Sequence, residues 1–229
     1  MKKNLVILTG AGMSQESGIK TFRDMGGLWE EYDVMEVATP EAWEQNPELV
    51  MKFYNDRRKQ LHECQPNAGH KGLVDLEEHF NVHIITQNID DLHERAGSKN
   101  VLHLHGELKK ARSSVDESLI YDIDGWELKF GDRCAKGSQL RPHVVWFGEA
   151  VPAMDEAITI VDKADLLVVI GTSLNVYPAA GLINYTKGGI PIYLIDPERP
   201  SIFIRNVTFI QEKAGKGVEL LKEQLLKNL

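Results

Sequence analysis

Five short apolar runs, each ended by small or polar residues, constrain the fold of this chain more than any other feature of its sequence. They span residues 5–8, 82–85, 144–147, 166–170 and 190–195. Runs this short, continuous and rich in β-branched residues are typical of strands buried on both faces of a parallel sheet. Helical patterns occupy residues 154–164 and 217–229. Alternating strands and helices predict an α/β fold whose ligands bind at the carboxyl ends of the strands.

Two segments do not fit this alternation. Residues 21–61 are mostly helical in pattern after a loop, and Thr39 followed by Pro40 is typical of a helix start. Residues 109–141 are polar, irregular and rich in charge. We therefore expect both segments to leave the sheet and to build a smaller lobe.

Composition excludes several classes of protein. The chain has 229 residues, enough for one large domain or for one domain with an embedded lobe. Its 34 acidic residues outnumber its 26 Lys and Arg residues, and the net charge of −8 argues against a nucleic-acid partner. No apolar run approaches the length of a membrane span, so we expect no membrane partner. Two cysteines, Cys64 and Cys134, predict a reducing, cytoplasmic location. The sequence makes no prediction of the oligomeric state.

Two glycines follow the first strand in the segment Thr9-Gly10-Ala11-Gly12-Met13-Ser14. Glycine lets the backbone approach a phosphate closely, and the amino end of a helix placed after it would favour negative charge. The third glycine of the usual dinucleotide fingerprint is missing, because Gln15 stands at its place. A tight turn without a ligand explains the two glycines equally well.

Two further strand ends carry polar side chains. Gln87, Asn88 and Asp90 follow the second run, where amides and a carboxylate suit ribose hydroxyls and an amide ring. The segment Gly171-Thr172-Ser173 follows the run at 166–170 and suits phosphate or ribose contacts. The alternatives are a polar turn at the first strand end and a simple helix cap at the second.

The segment His103-Leu104-His105-Gly106 offers an imidazole that can accept a proton near neutral pH. The two histidines face the same side if this segment is extended. A metal pair is one alternative, although no further ligand completes it at the usual spacing. A histidine packed in the core is the other alternative, and the segment alone favours packing.

Two other segments suggest substrate contacts. Phe147-Gly148-Glu149 ends an apolar run at an edge that could pair with an extended peptide, unless it is simply a loop after a core strand. Tyr54 and Arg57 are three residues apart on one helix face, and together they suit a carboxylate. The alternative for this pair is a solvated basic face, since Arg58 and Lys59 follow.

The order of these motifs resembles the sirtuin family of NAD-dependent protein lysine deacylases. The similarity extends from Leu5 to the last helix. The motifs that carry it are Gly-Ala-Gly-x-Ser from Gly10, Gly-Ile-x-Thr-Phe-Arg from Gly18, Gln-Asn-Ile-Asp from Gln87, His-x-His-Gly from His103, Phe-Gly-Glu from Phe147 and Gly-Thr-Ser from Gly171.

The resemblance implies a Rossmann-like parallel-sheet lobe and a smaller inserted lobe, with NAD and the acyl-lysine meeting in the cleft. We expect a single catalytic domain. Its large lobe covers about residues 1–20, 64–107 and 143–229, and its small lobe covers about residues 21–63 and 108–142.

The resemblance also assigns roles by position. His105 is expected to be the general base. The expected NAD contacts are given by the part of the site that they form: the phosphates, the mobile cofactor loop, the ribose, the nicotinamide pocket, the adenosine side and the adenine end. In that order they are Gly10, Ala11, Gly12, Ser14, Phe22, Arg23, Gln87, Asn88, Asp90, Gly171, Thr172, Ser173, Asp196 and Ala214. The expected contacts to the acylated protein lysine are Tyr54, Arg57, Phe147, Gly148 and Glu149.

The reaction that the resemblance implies consumes NAD as a co-substrate. The acyl oxygen of the modified lysine captures the anomeric carbon of the ribose as nicotinamide leaves. His105 then accepts a proton from a ribose hydroxyl, which attacks the imidate carbon. Water completes the release of free lysine and O-acyl-ADP-ribose.

The sequence departs from the family pattern at two places. The family usually has two Cys-x-x-Cys pairs in its small lobe, whereas here Ser113 stands where a cysteine is expected and only Cys134 remains. Because tetrahedral zinc needs four thiolate or imidazole ligands, we expect no zinc and a lobe held by the apolar residues between 119 and 130, in a replacement hairpin. At the adenine end, Asp196 stands where the family commonly has Asn.

The position of Tyr54 and Arg57 resembles the sirtuin branch that removes succinyl, malonyl and glutaryl groups. We therefore expect activity on acidic acyl groups beside deacetylation. A plain deacetylase, a protein mono-ADP-ribosyltransferase and a non-catalytic NAD-binding sensor stay open as alternatives.

Overall fold

A computed structural model describes residues 2–19, 32–199 and 206–227. Its centre is a sheet of six parallel strands. In chain order these strands are Asn4–Thr9 (β1), Asn81–Thr86 (β2), Val101–His103 (β3), Leu166–Ile170 (β7), Ile192–Ile195 (β8) and Val207–Ile210 (β9). Their order across the sheet is β3-β2-β1-β7-β8-β9. The predicted α/β fold with a parallel sheet is therefore confirmed, while β3 and β9 were not predicted.

Helices cover both faces of this sheet, which explains why its central strands are continuously apolar. Ala68–Leu76 (α4) and Ala214–Leu226 (α7) pack with Leu5 and Ile7 on one face. Met154–Asp162 (α6) packs with Val6 and Leu8 on the other face. A fourth helix, Leu92–Ala96 (α5), follows β2. The predicted helices at 154–164 and 217–229 are confirmed, with ends shifted by a few residues.

A separate antiparallel sheet contains Gly106–Ser113 (β4), Ile120–Asp122 (β5) and Leu140–Val144 (β6), in the order β5-β4-β6. The prediction of a parallel strand at residues 144–147 is wrong, because this chain segment pairs with β4 and only Val144 is in a strand. Gly106 makes the close pairing possible. Its φ is +81°, and a Cβ there would lie 2.2 Å from the carbonyl oxygen of His143.

Three helices precede α4 in the chain: Val34–Val37 (α1), Pro40–Gln45 (α2) and Pro47–Glu63 (α3). The predicted helix start at Thr39 and Pro40 is confirmed. The Thr39 hydroxyl accepts a hydrogen bond of 3.0 Å from the backbone N–H of Ala42. The buried face of α3 presents Phe53 and Tyr54 to an apolar cluster that also contains Trp146.

Helix α3 is tied to the small sheet by buried polar groups. The Arg58 guanidinium donates 2.7 Å hydrogen bonds to the carbonyl oxygens of Leu108 and Trp126. The Asn55 amide donates to the carbonyl oxygen of Leu128 at 2.9 Å. Burial lowers the pKa of Arg58 to about 10. Arg58 is therefore an internal anchor, and the alternative of a solvated basic face is wrong for this residue.

The apolar residues between 119 and 130 pack only in part. Leu119, Tyr121 and Ile123 lie against a cluster that contains Leu128 and Cys134. The expected packing is wrong for three others, since Ile120, Trp126 and Phe130 are exposed. The expected hairpin is short, because β5 pairs with β4 over three residues.

No helix among the described residues is both long and apolar enough to cross a bilayer.

Two buried histidines lie together where α4 and α5 meet beside the parallel sheet. His70 and His93 are fully buried, and their ring centroids are 4.8 Å apart. His70 Nδ1 accepts a hydrogen bond from the backbone N–H of Asn67, and His93 Nε2 lies 3.1 Å from the Thr9 hydroxyl. Burial lowers the pKa of His70 to about 4 and lowers the pKa of His93 well below its usual value. Both rings are therefore neutral in the folded protein at pH 7.

We expect this pair to make the fold sensitive to acid. Each histidine binds a proton more readily in the unfolded chain, so the free energy of unfolding falls as the pH drops from about 6.5 towards 4. When the pH falls from 7.5 to 5.5, each ring lowers the free energy of unfolding by about 1 kcal/mol. Urea unfolding of the wild type and of His70→Gln at both pH values measures this, and the variant should lose less stability on acidification.

The matched control is His79→Gln, which changes an exposed histidine just beyond α4. This control should reproduce the wild-type difference between the two pH values. An equal acid sensitivity in His70→Gln and the wild type would contradict the assignment.

Candidate active site

A cavity of about 650 Å³ opens at the carboxyl ends of the parallel strands. Every predicted site residue within the described part of the chain lines it. These residues are Gly10, Ala11, Gly12, Ser14, Tyr54, Arg57, Gln87, Asn88, Asp90, His105, Phe147, Gly148, Glu149, Gly171, Thr172, Ser173, Asp196 and Ala214. The predicted Phe22 and Arg23 lie outside the described residues.

The two glycine-containing strand ends touch each other. The backbone N–H of Gly12 donates to the carbonyl oxygen of Gly171 at 2.9 Å. Gly171 has a φ of +61°, and a Cβ on it would lie 2.5 Å from the nitrogen of Met13. Only glycine fits such a contact, because a side chain would meet backbone atoms that cannot move aside.

The expected helix after this loop is absent from residues 11–17. Two turns of 3-10 helix, Ala11–Met13 and Gln15–Ser17, take its place. So short a turn carries little of the dipole of a full helix. An anion here would therefore be bound by individual N–H groups at the surface of the loop.

A buried polar network lies beside this loop. The Ser14 hydroxyl donates to the Asp90 carboxylate at 2.9 Å and accepts from the Asn88 side-chain amide at 3.1 Å. The backbone N–H of Leu92 donates to the other Asp90 oxygen at 3.2 Å. Burial raises the pKa of Asp90, and the hydrogen bond from Ser14 opposes that rise. The three side chains are thus held in one arrangement at the cavity wall.

A second set of hydrogen bonds supports the network from behind. The Thr9 hydroxyl donates to the Thr86 hydroxyl at 2.8 Å, and Thr86 accepts from the backbone N–H of Asn88 at 3.0 Å. The Gln87 side-chain amide donates to the Thr172 hydroxyl at 3.2 Å. The ends of β1, β2 and β7 are therefore linked through side chains as well as through backbone pairing.

The His105 ring has a defined proton position. Its Nδ1 lies 3.0 Å from the carbonyl oxygen of Gln87. Since a carbonyl oxygen only accepts, Nδ1 carries the hydrogen and Nε2 keeps its lone pair. Burial lowers the pKa of His105, with the Gln87 contact opposing the shift. The ring is therefore neutral at pH 7 and can accept a proton at Nε2.

His103 has the opposite character, and it lies outside the cavity lining. Its Nδ1 lies 2.9 Å from the carbonyl oxygen of Asn88, and its Nε2 lies 2.9 Å from the Glu94 carboxylate. Although burial disfavours the charge, the Glu94 carboxylate raises the pKa of His103. His103 is the last residue of β3, and of the two histidines only His105 lines the cavity.

Tyr54 forms part of the wall at the small-lobe end of the cavity. It is 2% exposed, and its hydroxyl oxygen accepts a 3.0 Å hydrogen bond from the indole N–H of Trp146. Burial raises the pKa of Tyr54 to about 12, so the phenol stays protonated at neutral pH. The neighbouring Arg57 guanidinium lies 5.5 Å from the centroid of the Phe53 ring. Burial lowers the pKa of Arg57.

Glu149 is engaged by cationic groups of the small sheet. Its carboxylate accepts from Arg141 at 2.7 Å, from Arg112 at 3.1 Å and from the backbone N–H of Trp146 at 2.8 Å. Burial opposes its charge, but the hydrogen bonds from Arg141 and Trp146 and the positive charges of Arg141 and Arg112 together outweigh burial and lower the pKa of Glu149. Its carboxylate therefore positions the loop that carries the exposed Phe147. The expected substrate contact of Glu149 stays a prediction.

The opposite end of the cavity is bordered by Asp196 and Ala214. Asp196 is 2% exposed and accepts a 2.9 Å hydrogen bond from the backbone N–H of Glu198. Ala214 is the first residue of α7. This places a buried carboxylate and the start of a helix at the end of the cavity farthest along the sheet from β2.

The residues where the family holds zinc do not fit that metal in this chain. The Ser113 and Ser138 hydroxyls lie 2.9 Å apart, and the Cys134 thiol lies 3.0 Å from Ser138. One thiol and two hydroxyls do not make the thiolate and imidazole set that zinc prefers. Among the residues described, no group of three His, Cys, Asp or Glu side chains could hold a metal ion.

Several residues that line the cavity were not predicted from the sequence, and Trp146 and Ala38 are two of them. Trp146 lines the cavity beside Tyr54, although the sequence predicts that its apolar run is a buried strand. Ala38, between α1 and α2, also lines it. A small residue just before a capped helix carries no signal of its own, so only the structure brings Ala38 to the site.

The comparisons with known proteins agree with this geometry. The Sir2 family model matches residues 10–178, which is more than half of the chain. A protein of Bacteroides thetaiotaomicron named NAD-dependent protein deacylase is 55% identical over 230 residues, covering 98% of this chain and 98% of its own.

Solved structures of Sir2 homologues have the same fold. A Sir2 homologue in complex with NAD superposes with a TM-score of 0.89 at 41% identity, covering 99% of this chain and 91% of that one. A Sir2 mutant in complex with 2′-O-acetyl-ADP-ribose has a TM-score of 0.89 at 40% identity, covering 100% and 94%.

Proposed function

Because the chain belongs to the Sir2 family, we propose that it is an NAD-dependent protein-lysine deacylase that removes succinyl and malonyl groups as well as acetyl groups. One observation carries the proposal for acidic acyl groups. Tyr54 and Arg57 line the same cavity as His105. Two groups that can donate hydrogen bonds to a carboxylate therefore share one cavity with a group that can accept a proton.

The acyl end of the cavity suits a chain longer than acetyl that ends in a carboxylate. Ala38 contributes only a methyl group to the wall, which leaves room for a longer acyl chain. Arg57 brings positive charge and Tyr54 brings a protonated hydroxyl, because its pKa is about 12. A carboxylate held by a guanidinium and a phenol exchanges its water for charge-assisted hydrogen bonds. An acetyl group has no carboxylate and therefore cannot make these hydrogen bonds.

The remaining walls suit NAD. Gly10, Ala11 and Gly12 present backbone to a phosphate, and Ser14, Asn88 and Asp90 are held together beside them. Gln87 and Thr172 offer polar groups to a ribose, and Asp196 borders the adenine end. When bound, NAD supplies the ribose carbon that the acyl oxygen attacks. The proposed products are nicotinamide, free lysine and O-acyl-ADP-ribose, in keeping with the acetyl-ADP-ribose bound by a structural relative.

His105 is the proposed general base. Its hydrogen lies on Nδ1 toward Gln87, so Nε2 accepts the proton of a ribose hydroxyl. Its neutral state is stabilised by burial, and the neighbouring His103 is stabilised in its charged state by Glu94. The two imidazoles therefore do not compete for the same proton.

Other features of the proposal concern the whole chain. We keep the lobe boundaries of about 1–20, 64–107 and 143–229 for the large lobe, and about 21–63 and 108–142 for the small lobe. We propose that the small lobe needs no zinc and that Arg58 and Asn55 of α3 hold its two segments together instead, through the carbonyl oxygens of Leu108 and Leu128. Both cysteines are free thiols, which suits a reducing compartment, and the cytoplasm is the proposed location.

His105→Ala should lose turnover by about 10²- to 10⁴-fold, because it removes the proposed acceptor of the ribose proton. NAD binding, measured by calorimetry, should persist. In the wild type, kcat/KM should fall on acidification with a limiting pKa below 6.5, since only the neutral ring accepts a proton. A limiting pKa above 6.5 would contradict this role and would point to His103, whose pKa is raised.

Arg57→Met should reduce kcat/KM for a succinyl peptide by about 10- to 100-fold and for the acetyl form by less than about threefold. The reason is that only the succinyl group loses an ionic partner. Mass spectrometry of acetyl, succinyl and malonyl forms of one peptide with NAD measures both products. The matched control, Lys59→Met, changes an exposed lysine of the same helix and should leave all rates intact. Equal losses for acetyl and succinyl peptides in Arg57→Met would refute the acidic-acyl proposal.

Protein purified without added metal should contain far less than one zinc ion per chain by mass spectrometry. Treatment with a chelator should leave the melting temperature and the deacylation rate unchanged, because the groups at Cys134, Ser113 and Ser138 do not form a zinc ligand set. A chelator-dependent fall in melting temperature, together with stoichiometric zinc, would overturn the proposal.

A further inference from the structure

The hydrogen bond between Trp146 and Tyr54 has a fixed direction. An indole nitrogen carries a hydrogen and has no free lone pair, so it only donates. The Tyr54 oxygen must therefore accept this 3.0 Å bond, and its own hydrogen points elsewhere. In the part of the chain that the structure describes, the Tyr54 hydroxyl has no other hydrogen-bond partner. Tyr54 lines the cavity, so that hydrogen is available to a bound acyl group.

Several contacts hold the Trp146 indole in place. The Arg141 guanidinium stacks on its ring with 3.3 Å between its central carbon and the ring centroid. The backbone N–H of Trp146 donates to Glu149, which also accepts from Arg141. The centroid of the Trp43 ring lies 5.9 Å from that of Trp146. Trp146 is 2% exposed, so water does not replace its N–H as the partner of Tyr54.

We propose that Trp146 is a positioning residue for acidic acyl groups: its indole N–H occupies the acceptor side of the Tyr54 hydroxyl and so directs the Tyr54 hydrogen to the acyl carboxylate. This inference rests on the proposed function of Tyr54 and Arg57. A phenol without such a donor can turn its hydrogen away and offer its oxygen to the carboxylate, which repels it. The indole thus selects for a carboxylate without touching it.

The effect of Trp146 on turnover is confined to substrates whose acyl group carries a carboxylate. An acetyl group presents no acceptor to Tyr54, so the direction of the phenol hydrogen does not change its turnover. A succinyl or malonyl group needs that hydrogen for binding, so the loss appears in KM more than in kcat. A purely structural role of Trp146 would instead lower the turnover of acetyl and succinyl peptides alike.

The decisive variants remove the indole N–H and little else. Trp146→Phe removes the donor, and site-specific replacement of Trp146 by benzothienylalanine removes it while keeping the shape of the ring. Each should raise KM for a succinyl peptide about tenfold and leave the acetyl peptide within about twofold, the effect of one hydrogen bond to a charged group. Trp43→Phe is the matched control, because it removes the indole of a neighbouring tryptophan that donates no hydrogen bond to the Tyr54 hydroxyl, and both values of KM should stay unchanged.

The double variant with Tyr54→Phe tests whether Trp146 acts through the phenol. In that background Trp146→Phe should cause no further change in the ratio of succinyl to acetyl kcat/KM. If Tyr54→Phe and Arg57→Met leave this ratio unchanged, the acidic-acyl function itself fails. If they lower the ratio but the benzothienylalanine replacement does not, that function stands and the role of Trp146 is overturned. Equal losses for both peptides in the Trp146 variants also overturn it.

Discussion

The contact between the backbones at Gly12 and Gly171 is the constraint on which the site depends. Parallel pairing of β1 with β7 brings the two loops to the same edge of the sheet, and the Gly12 N–H bonds to the Gly171 carbonyl oxygen at 2.9 Å. Because neither position has room for a side chain, the loops close against each other. That closure places Thr172 within reach of Gln87 on the neighbouring strand end. Three strand ends thereby become one continuous wall.

Burial and hydrogen-bond partners then set the charge of each group in that wall. His103 and His105 are two residues apart, yet one ring faces a carboxylate and the other faces only a carbonyl oxygen. The pKa of the first ring is raised, and the pKa of the second ring is lowered. The same logic applies to Tyr54, whose phenol is kept protonated by burial beside a cationic neighbour. The chemistry of the cavity follows from these local partners as much as from residue type.

Much of this could be predicted from the sequence, because buried parallel strands are apolar throughout and the polar motifs stand at their ends. The motif order also predicted which residues share the cavity. The run at 144–147 was misassigned because its pairing depends on Gly106, far away in the chain. The partnership of Trp146 with Tyr54 joins residues 92 positions apart, and the charge of His103 depends on Glu94 across a turn. No local pattern carries such long-range pairings.

Helix α3 links two regions that the sequence keeps far apart. Its Arg58 and Asn55 hold the backbone at Trp126 and Leu128, and their neighbours in the same helix, Arg57 and Tyr54, line the cavity. The segment around residue 126 is therefore joined through α3 to the part of the cavity wall that Tyr54 and Arg57 form. A substitution near residue 126 therefore acts at a distance on the cavity wall, because it changes how α3 is seated.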